Sequence, residues 1–132
     1  MPITVPVRDQ EISAETFGAP VANQLNGLIP TAWVNPAFLN GWANMAGFLA
    51  LRYRKVSDAV TVQGCITGGT LGSAAFNLPI GFRPTGDIML VTGGWSGSAW
   101  IVNRLRCLTS GDVIIDLGAN QQVPIDLRFA TT

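Results

Sequence analysis

The glycines of GGTLG, in the stretch CITGGTLGSAAFNLPIGFRP at residues 65–84, are of the kind that cradles phosphate groups. A dinucleotide-binding turn needs a helix directly after its glycines, because the helix N-terminus holds the pyrophosphate. Here SAAFNLP follows, Pro79 soon interrupts it, and the Walker pattern of Gly-Lys-Ser/Thr is absent. The sequence therefore predicts a turn between two strands at this position, and we expect no bound cofactor.

Carboxylates are the next candidates for chemistry, as the acid and base of a small hydrolase: Asp87, Asp112, Asp116 and Asp126. Glycoside hydrolysis requires two carboxylates about 5–10 Å apart. Asp112 and Asp116 fall in one strand-like segment, which separates them by roughly 13 Å at ~3.3 Å per residue. We therefore expect no enzymatic activity.

Cys65 and Cys107 are the two cysteines of a chain that has no histidine. Without histidine, Ser-His-Asp and Cys-His nucleophilic sites are excluded and the commonest metal ligand is missing. The two cysteines lie too far apart in sequence for a metal-binding motif. We expect no metal site and favour two reduced, partly buried thiols, although the cysteines would pair if their strands were neighbours.

The composition limits the class of protein and its partners. The 132 residues are the size of one domain, and 12% of them are charged, about half of the usual ~25%. So little charge indicates that part of the surface is covered, most simply by other copies of the chain. The net charge of zero argues against a nucleic-acid partner. No apolar run approaches the ~20 residues of a membrane helix and no signal peptide is recognisable, so we expect neither membrane insertion nor export.

The elements that must position any site begin with an extended N-terminal arm and one short helix, together residues 1–28. The stretch SAETFGAPVANQLNG at 13–27 has a plausible N-cap in Ser13 and a C-terminal stop in Asn26-Gly27. So short a helix must dock on something, and its apolar stripe would suit packing on its own domain or bundling with other copies equally well. Because the surface has little charge, we favour the second and expect this segment to serve attachment or trimerisation. The candidate interface residues are Phe17, Val21, Leu25 and Leu28.

Residues 29–47 form a connector rich in proline, glycine and asparagine. Its aromatic residues are expected to be core or interface anchors: Trp33, Phe38 and Trp42.

From residue 48 to residue 132 the sequence predicts a β-domain. About seven short strands, with turns every 8–12 residues, indicate a mainly β fold, an antiparallel sandwich or barrel. In the last strand Pro124 cannot donate to a ladder, so this strand lies at an edge or begins pairing late. GGWSGS at 93–98 is expected to be a hairpin tip. Trp95 and Trp100 beside it are candidate contacts for a receptor or partner, although burial of Trp95 against the domain or a neighbouring copy is the competing interpretation.

The segment from residue 40 onward resembles the C-terminal β-domains of tail fibre and minor tail proteins of tailed bacteriophages. The resemblance rests on a tryptophan lead-in, a Tyr-Arg-Lys strand, a glycine turn and the phrase LPIGFRP. The corresponding residues are Trp42, Tyr53, Arg54, Lys55, Gly64, Gly68, Gly69, Leu78, Pro79, Gly81, Phe82, Arg83 and Pro84. The closing GDVIIDLGANQQVPIDLRFATT is similar to the family's last hairpin.

The resemblance implies a non-enzymatic virion structural protein, made in the host cytoplasm and trimeric. Its partners would be other virion proteins of the tail or capsid and, for adhesion, a host-surface glycan or protein. A small fibre or tail-tip component is the first interpretation, and a capsid decoration protein or head fibre is the alternative within this class. A free-standing carbohydrate-binding β-sandwich, with Trp95 or Trp100 stacking on sugar, is the alternative from another class.

Overall fold

Residues 29–131 are described by the structure, a computed structural model. The helix predicted at 13–27, with the interface candidates Phe17, Val21, Leu25 and Leu28, lies outside the described residues.

The described range is built from strands and contains no helix. Eight strands are present: β1 (Ala43–Asn44), β2 (Arg52–Val56), β3 (Ala59–Thr67), β4 (Ala74–Asn77), β5 (Ile88–Trp95), β6 (Trp100–Cys107), β7 (Asp112–Leu117) and β8 (Val123–Ala130). Sequence reasoning missed β1, whose two residues are too few for a periodic pattern.

The first sheet is organised around β3. Strand β8 pairs antiparallel with β3 from Ala59 to Ile66 on one edge. Strands β2 and β1 also pair antiparallel with β3, and they follow one another along its other edge. The second sheet has the order β4-β7-β6-β5, all antiparallel.

The two sheets form a sandwich. One isolated bridge, between Trp95 and Gln122, joins them at a corner without closing a barrel. Of the two architectures that the sequence left open, the sandwich is therefore the one adopted. The core between the sheets draws large side chains from both, including Val62, Ile66, Phe76 and Leu105.

The period-2 pattern of β8 shows why these residues form a half-buried strand. Val123, Ile125 and Leu127 are buried, whereas the intervening Pro124 and Asp126 are exposed. Strand β8 has only β3 as a neighbour in its sheet, which is the edge position predicted from Pro124.

Strand β2 begins later than the apolar run FLALRYRKV suggests. Phe48 and Leu49 are exposed, and the Leu51 amide donates to the Asn44 side chain at 2.8 Å rather than to a strand. Hydrogen bonding to a side chain replaces the ladder here, so pairing starts only at Arg52.

The aromatic residues of the 29–47 segment contact the domain. Trp42 is 3% exposed and belongs to the core, and Phe38 meets Phe76 edge-on with 6.4 Å between ring centroids. Trp33 is half-buried on the outer side of the first sheet. Trp42 is therefore a core anchor, as the sequence predicts.

Cys65 and Cys107 are both buried and both free. They lie in different sheets, in β3 and β6. Burial raises the pKa of the Cys107 thiol to about 12, and burial is also the main reason that the Cys65 pKa is raised. Both cysteines are thus protonated, unpaired thiols.

Candidate functional site

The glycine turn joins β3 to β4, as the sequence predicts, and the alternate amides of Gly68, Thr70 and Gly72 already have acceptors within the protein. Gly68 N donates to Asn120 O at 2.7 Å and Gly72 N donates to Ile115 O at 2.9 Å. A side chain at Gly69 would collide with the Trp42 indole, so this glycine is required by packing. The turn therefore offers no row of free amides to a phosphate group.

The carboxylate of Asp116 is held by two arginines on the outer face of the second sheet. Arg104 donates to it through Nε at 2.7 Å and through an Nη at 2.9 Å, and Arg106 Nε donates at 2.6 Å. The hydrogen bond from Arg104 is the main reason that the pKa of Asp116 lies below its usual value. Such a carboxylate is a poor proton donor near neutral pH.

Two further carboxylates hold loops in place. Asp112 accepts from Asn77 Nδ2 at 2.7 Å, and Asp87 accepts from the Thr109 amide at 2.9 Å.

Within residues 29–131, no three His, Cys, Asp or Glu side chains come together in a way that would hold a metal ion. In the same range, no helix is long and apolar enough to cross a membrane.

The outer face of the second sheet also carries exposed apolar side chains beside the Asp116 cluster. Directly opposed residues of an antiparallel pair carry their side chains on the same face. The register therefore places Met89, Val91 and Trp95 of β5 on one face with Arg106, Arg104 and Trp100 of β6. We call the exposed large side chains of this surface the apolar face: Met89, Val91, Trp100, Val102 and Leu117, which are 55–69% exposed.

Trp95 and Trp100, the candidate contacts of the sequence, close one end of the apolar face. They are directly opposed across β5 and β6, with 5.5 Å between ring centroids. Trp100 is 60% exposed, whereas Trp95 is half-buried. The backbone of Trp95 also bridges to Gln122, with its amide donating to Gln122 O at 2.8 Å. Trp95 is thus the anchored member of the pair and Trp100 the projecting one.

The turn that sets this pair is made by small residues between β5 and β6. The sequence predicts a hairpin tip at 93–98, but Gly93, Gly94 and Trp95 pair with β6 as part of β5, so the turn begins only after Trp95. Gly97 has a positive φ of 99°, which favours glycine. Ser96 accepts through Oγ from the Ala99 amide at 3.2 Å, and its own amide donates to Ala99 O at 3.0 Å. The turn therefore fixes the strand ends on which the two tryptophans stand opposite each other.

A second, partly exposed surface lies on the outer side of the first sheet, by the same register argument. One row runs Arg54–Thr61–Arg128 across β2, β3 and β8, and the adjacent row runs Arg52–Gln63–Asp126. Trp33 covers the outer edge of these rows. We call this surface the arginine face: Trp33, Arg52, Arg54, Thr61, Gln63, Asp126 and Arg128.

Trp33 lies against two guanidinium groups at once. Their central carbons are 4.0 Å (Arg52) and 4.4 Å (Arg54) from the centroid of the Trp33 ring. Both distances are within the range of cation–π attraction. Sequence reasoning missed this surface because it treated Trp33 only as an anchor. The available signal was the alternation of Arg52 and Arg54 around the core residue Tyr53.

Comparison with solved structures identifies the fold. The receptor-binding protein of Listeria phage PSA matches with a TM-score of 0.69 and 16% identity, covering 98% of this chain and 82% of that one. The receptor-binding head domain of lactococcal phage bIL170 matches with a TM-score of 0.59 and 12% identity, covering 76% of this chain and 98% of that one. No family model matches the sequence, and no curated protein is significantly similar to it. The chain has the fold of phage receptor-binding β-domains, as its resemblance to phage tail proteins predicts.

Proposed function

We propose that this chain is a virion protein of a tailed bacteriophage that contacts the host surface and has no enzymatic activity. The observation that carries the proposal is the similarity, over 98% of the chain, to a phage receptor-binding protein. The outward-facing Trp100, 60% exposed, adds a side chain of the type that dominates binding energy at interfaces. Asp87, Asp112 and Asp116 each accept hydrogen bonds from groups within the protein, which supports a binding role over a catalytic one.

Labelling of native particles tests this proposal. Antibodies raised against the purified chain should decorate the tail tip or tail fibres in electron micrographs and should slow adsorption to host cells. The free chain should compete with particles for those cells. Decoration of the capsid alone, without an effect on adsorption, would contradict the proposal and favour a decoration protein.

The proposed assembly is a homotrimer, which covers apolar surface that a monomer leaves in water. The low charged fraction of 12% and the apolar face support self-association. Two surfaces compete for this role, the stripe Phe17, Val21, Leu25 and Leu28 and the apolar face with Val91 at 69% exposure.

Mass photometry of two variants separates these surfaces. A charge placed in an interface is buried without a partner and costs several kcal/mol. Leu25→Asp should dissociate the trimer if the N-terminal stripe holds it, and Val91→Asp should do so if the apolar face holds it. A wild-type chain that is monomeric at micromolar concentration would refute the trimer.

A further inference from the structure

The arginine face carries positive charge that its own carboxylates do not neutralise. It holds three guanidinium groups and one carboxylate. That carboxylate, on Asp126, lies 3.9 Å from Arg128, and both side chains are more than 70% exposed, at 76% and 73%. An ion pair this long and this exposed to solvent contributes little interaction energy. Among residues 29–131, neither Arg52 nor Arg54 makes an ion pair. The face therefore has an excess of positive charge on a chain whose net charge is zero.

The Trp33 ring fixes two of these guanidinium groups close together. Arg52 is further held by donating through an Nη to Gln63 Oε1 at 3.1 Å. Its Nε is buried and has no hydrogen-bond partner among residues 29–131. Arg54 has the same ring contact and no hydrogen bond to the described residues. The guanidinium group of Arg54 is thus held by the Trp33 ring, and its donors have no partner within residues 29–131.

Arg128 repeats the positive charge across the sheet. It occupies the same cross-strand row as Arg54, with Thr61 between them. Neighbouring strands are ~4.8 Å apart, so the two backbone positions are separated by roughly 10 Å. Long arginine side chains on such a row suit anionic groups that repeat along an extended ligand.

We propose that the arginine face binds the anionic groups, carboxylate or phosphate, of a charged polysaccharide on the host surface. This inference rests on the proposed function and names the chemistry of the ligand. Arg54 and Arg128 take successive anionic groups, while Thr61, between them, and Gln63, in the adjacent row, bond sugar hydroxyls. Trp33 acts by holding Arg52 and Arg54 in place, since cations already occupy its ring.

Titration calorimetry of the purified full chain tests the ligand chemistry. The probes are carboxymethyl dextran and dextran phosphate, with neutral dextran of matched length as reference. Both anionic polymers should bind and neutral dextran should not, and affinity should fall as salt rises from about 50 to 500 mM because exposed charges are screened. Arg54→Gln with Arg128→Gln should weaken binding at least about tenfold, since hydrogen bonds to charged groups are lost. Asp126→Asn should strengthen it.

Arg106→Gln is the matched control. It removes one positive charge from the other sheet, as Arg54→Gln alone does from the arginine face, and Arg104 still holds Asp116 through two hydrogen bonds. The inference is overturned if Arg106→Gln weakens binding as much as Arg54→Gln alone, if neutral dextran binds equally, or if single-stranded DNA binds more tightly than either anionic dextran. Thermal unfolding of each variant confirms that it remains folded.

Adsorption of the labelled chain to host cells separates this inference from the proposed function. A chain that adsorbs to cells yet binds neither anionic dextran overturns the inference and leaves the proposed function standing. A chain that binds the dextrans through Arg54 and Arg128 but never adsorbs to cells overturns the proposed function and leaves an anion-binding face.

Discussion

The ring of Phe82 meets the ring of Tyr53 edge-on, with 5.2 Å between the ring centroids and 74° between their planes. Lys55, on the same strand as Tyr53, donates through Nζ to Gly81 O at 2.9 Å. Arg83 in turn donates through Nε to Leu78 O at 2.8 Å. The Tyr-Arg-Lys strand and the LPIGFRP phrase thus contact each other. These contacts clamp β2 to the loop after β4.

Phe82→Ala should therefore lower the free energy of unfolding. Phe82 is half-buried, so we expect a loss of about 1–3 kcal/mol, below the cost of deleting a fully buried ring. Tyr53→Phe, which keeps the ring, is the control. Denaturant unfolding measures both variants. A double-mutant cycle with Tyr53→Leu should show coupling of about 0.5–1.5 kcal/mol, and additive effects would show that the ring contact contributes nothing of its own.

Asn103 is a fully buried polar side chain in the core, and its amide pairs with the backbone of Ala119. Nδ2 donates to Ala119 O and the Ala119 amide donates to Oδ1, both at 2.8 Å. Gly94 and Gly118 lie so close to the Asn103 amide that a Cβ at either would collide with it. Asn103 thus fixes the loop between β7 and β8.

Asn103→Ala should destabilise the fold by about 2–4 kcal/mol, because two backbone groups of Ala119 lose their partners inside the protein. The neighbouring Val102→Ala is the control, since Val102 is 68% exposed and should change stability by less than about 1 kcal/mol. Urea unfolding compares the two. Equal effects would mean that the Asn103–Ala119 hydrogen bonds do not determine stability.

The Asp116 cluster makes stability depend on pH. Since hydrogen bonding to Arg104 lowers the Asp116 pKa in the folded state, the folded protein binds this proton less readily than the unfolded chain. The contribution of ionised Asp116 to the free energy of unfolding is complete above the unfolded pKa of about 4. This contribution is lost as the pH falls through the lower pKa of the folded state.

Asp116→Asn should flatten the acid limb of the stability–pH curve. Asp126→Asn, at a side chain 76% exposed and 3.9 Å from Arg128, should leave that limb in place. Thermal melts from about pH 2 to pH 6 span the transition. An unchanged acid limb in Asp116→Asn would contradict the assignment.

The two thiols should be chemically silent in the folded protein. Thiolate is the reactive form, and burial raises the Cys107 pKa to about 12, so little of it is present at neutral pH. A disulfide-exchange reagent should label neither cysteine until denaturant is added. Cys65→Ser with Cys107→Ser should fold and assemble, within about 1–2 kcal/mol of the parent. A fall in melting temperature of the parent on adding reductant would refute this.

Local patterns predicted most of the strands, because alternation of apolar and polar residues is strong where one face is buried, as in β8. The exclusion of a phosphate turn also came from local features, the missing helix and Pro79. Which strands pair across the chain is a long-range property, so the sequence did not show that Arg54 and Arg128 share a row or that Trp95 opposes Trp100. Which side chains meet on the apolar face and on the arginine face therefore depends on strand register, and the period-2 pattern alone does not determine register.

The Trp95–Trp100 pair consists of one anchored tryptophan and one projecting tryptophan. Trp95 is half-buried and bridges to Gln122, whereas Trp100 is 60% exposed. Trp95→Ala should therefore cost about 2–3 kcal/mol of stability. Trp100→Ala should cost only about 1 kcal/mol, the value of the lost aromatic pair.

If Trp100 contacts a host receptor, Trp100→Ala should weaken adsorption of the purified chain to host cells by about tenfold or more, as at an interface hot spot. Its melting curve should stay close to that of the parent. Val102→Ala, on the same strand and 68% exposed, controls for general loss of apolar surface. Adsorption measured by flow cytometry with labelled chain, beside thermal melts of each variant, compares the two effects. Normal adsorption of a folded Trp100→Ala protein would exclude Trp100 from the receptor contact and confine the pair to holding the end of the β5–β6 hairpin.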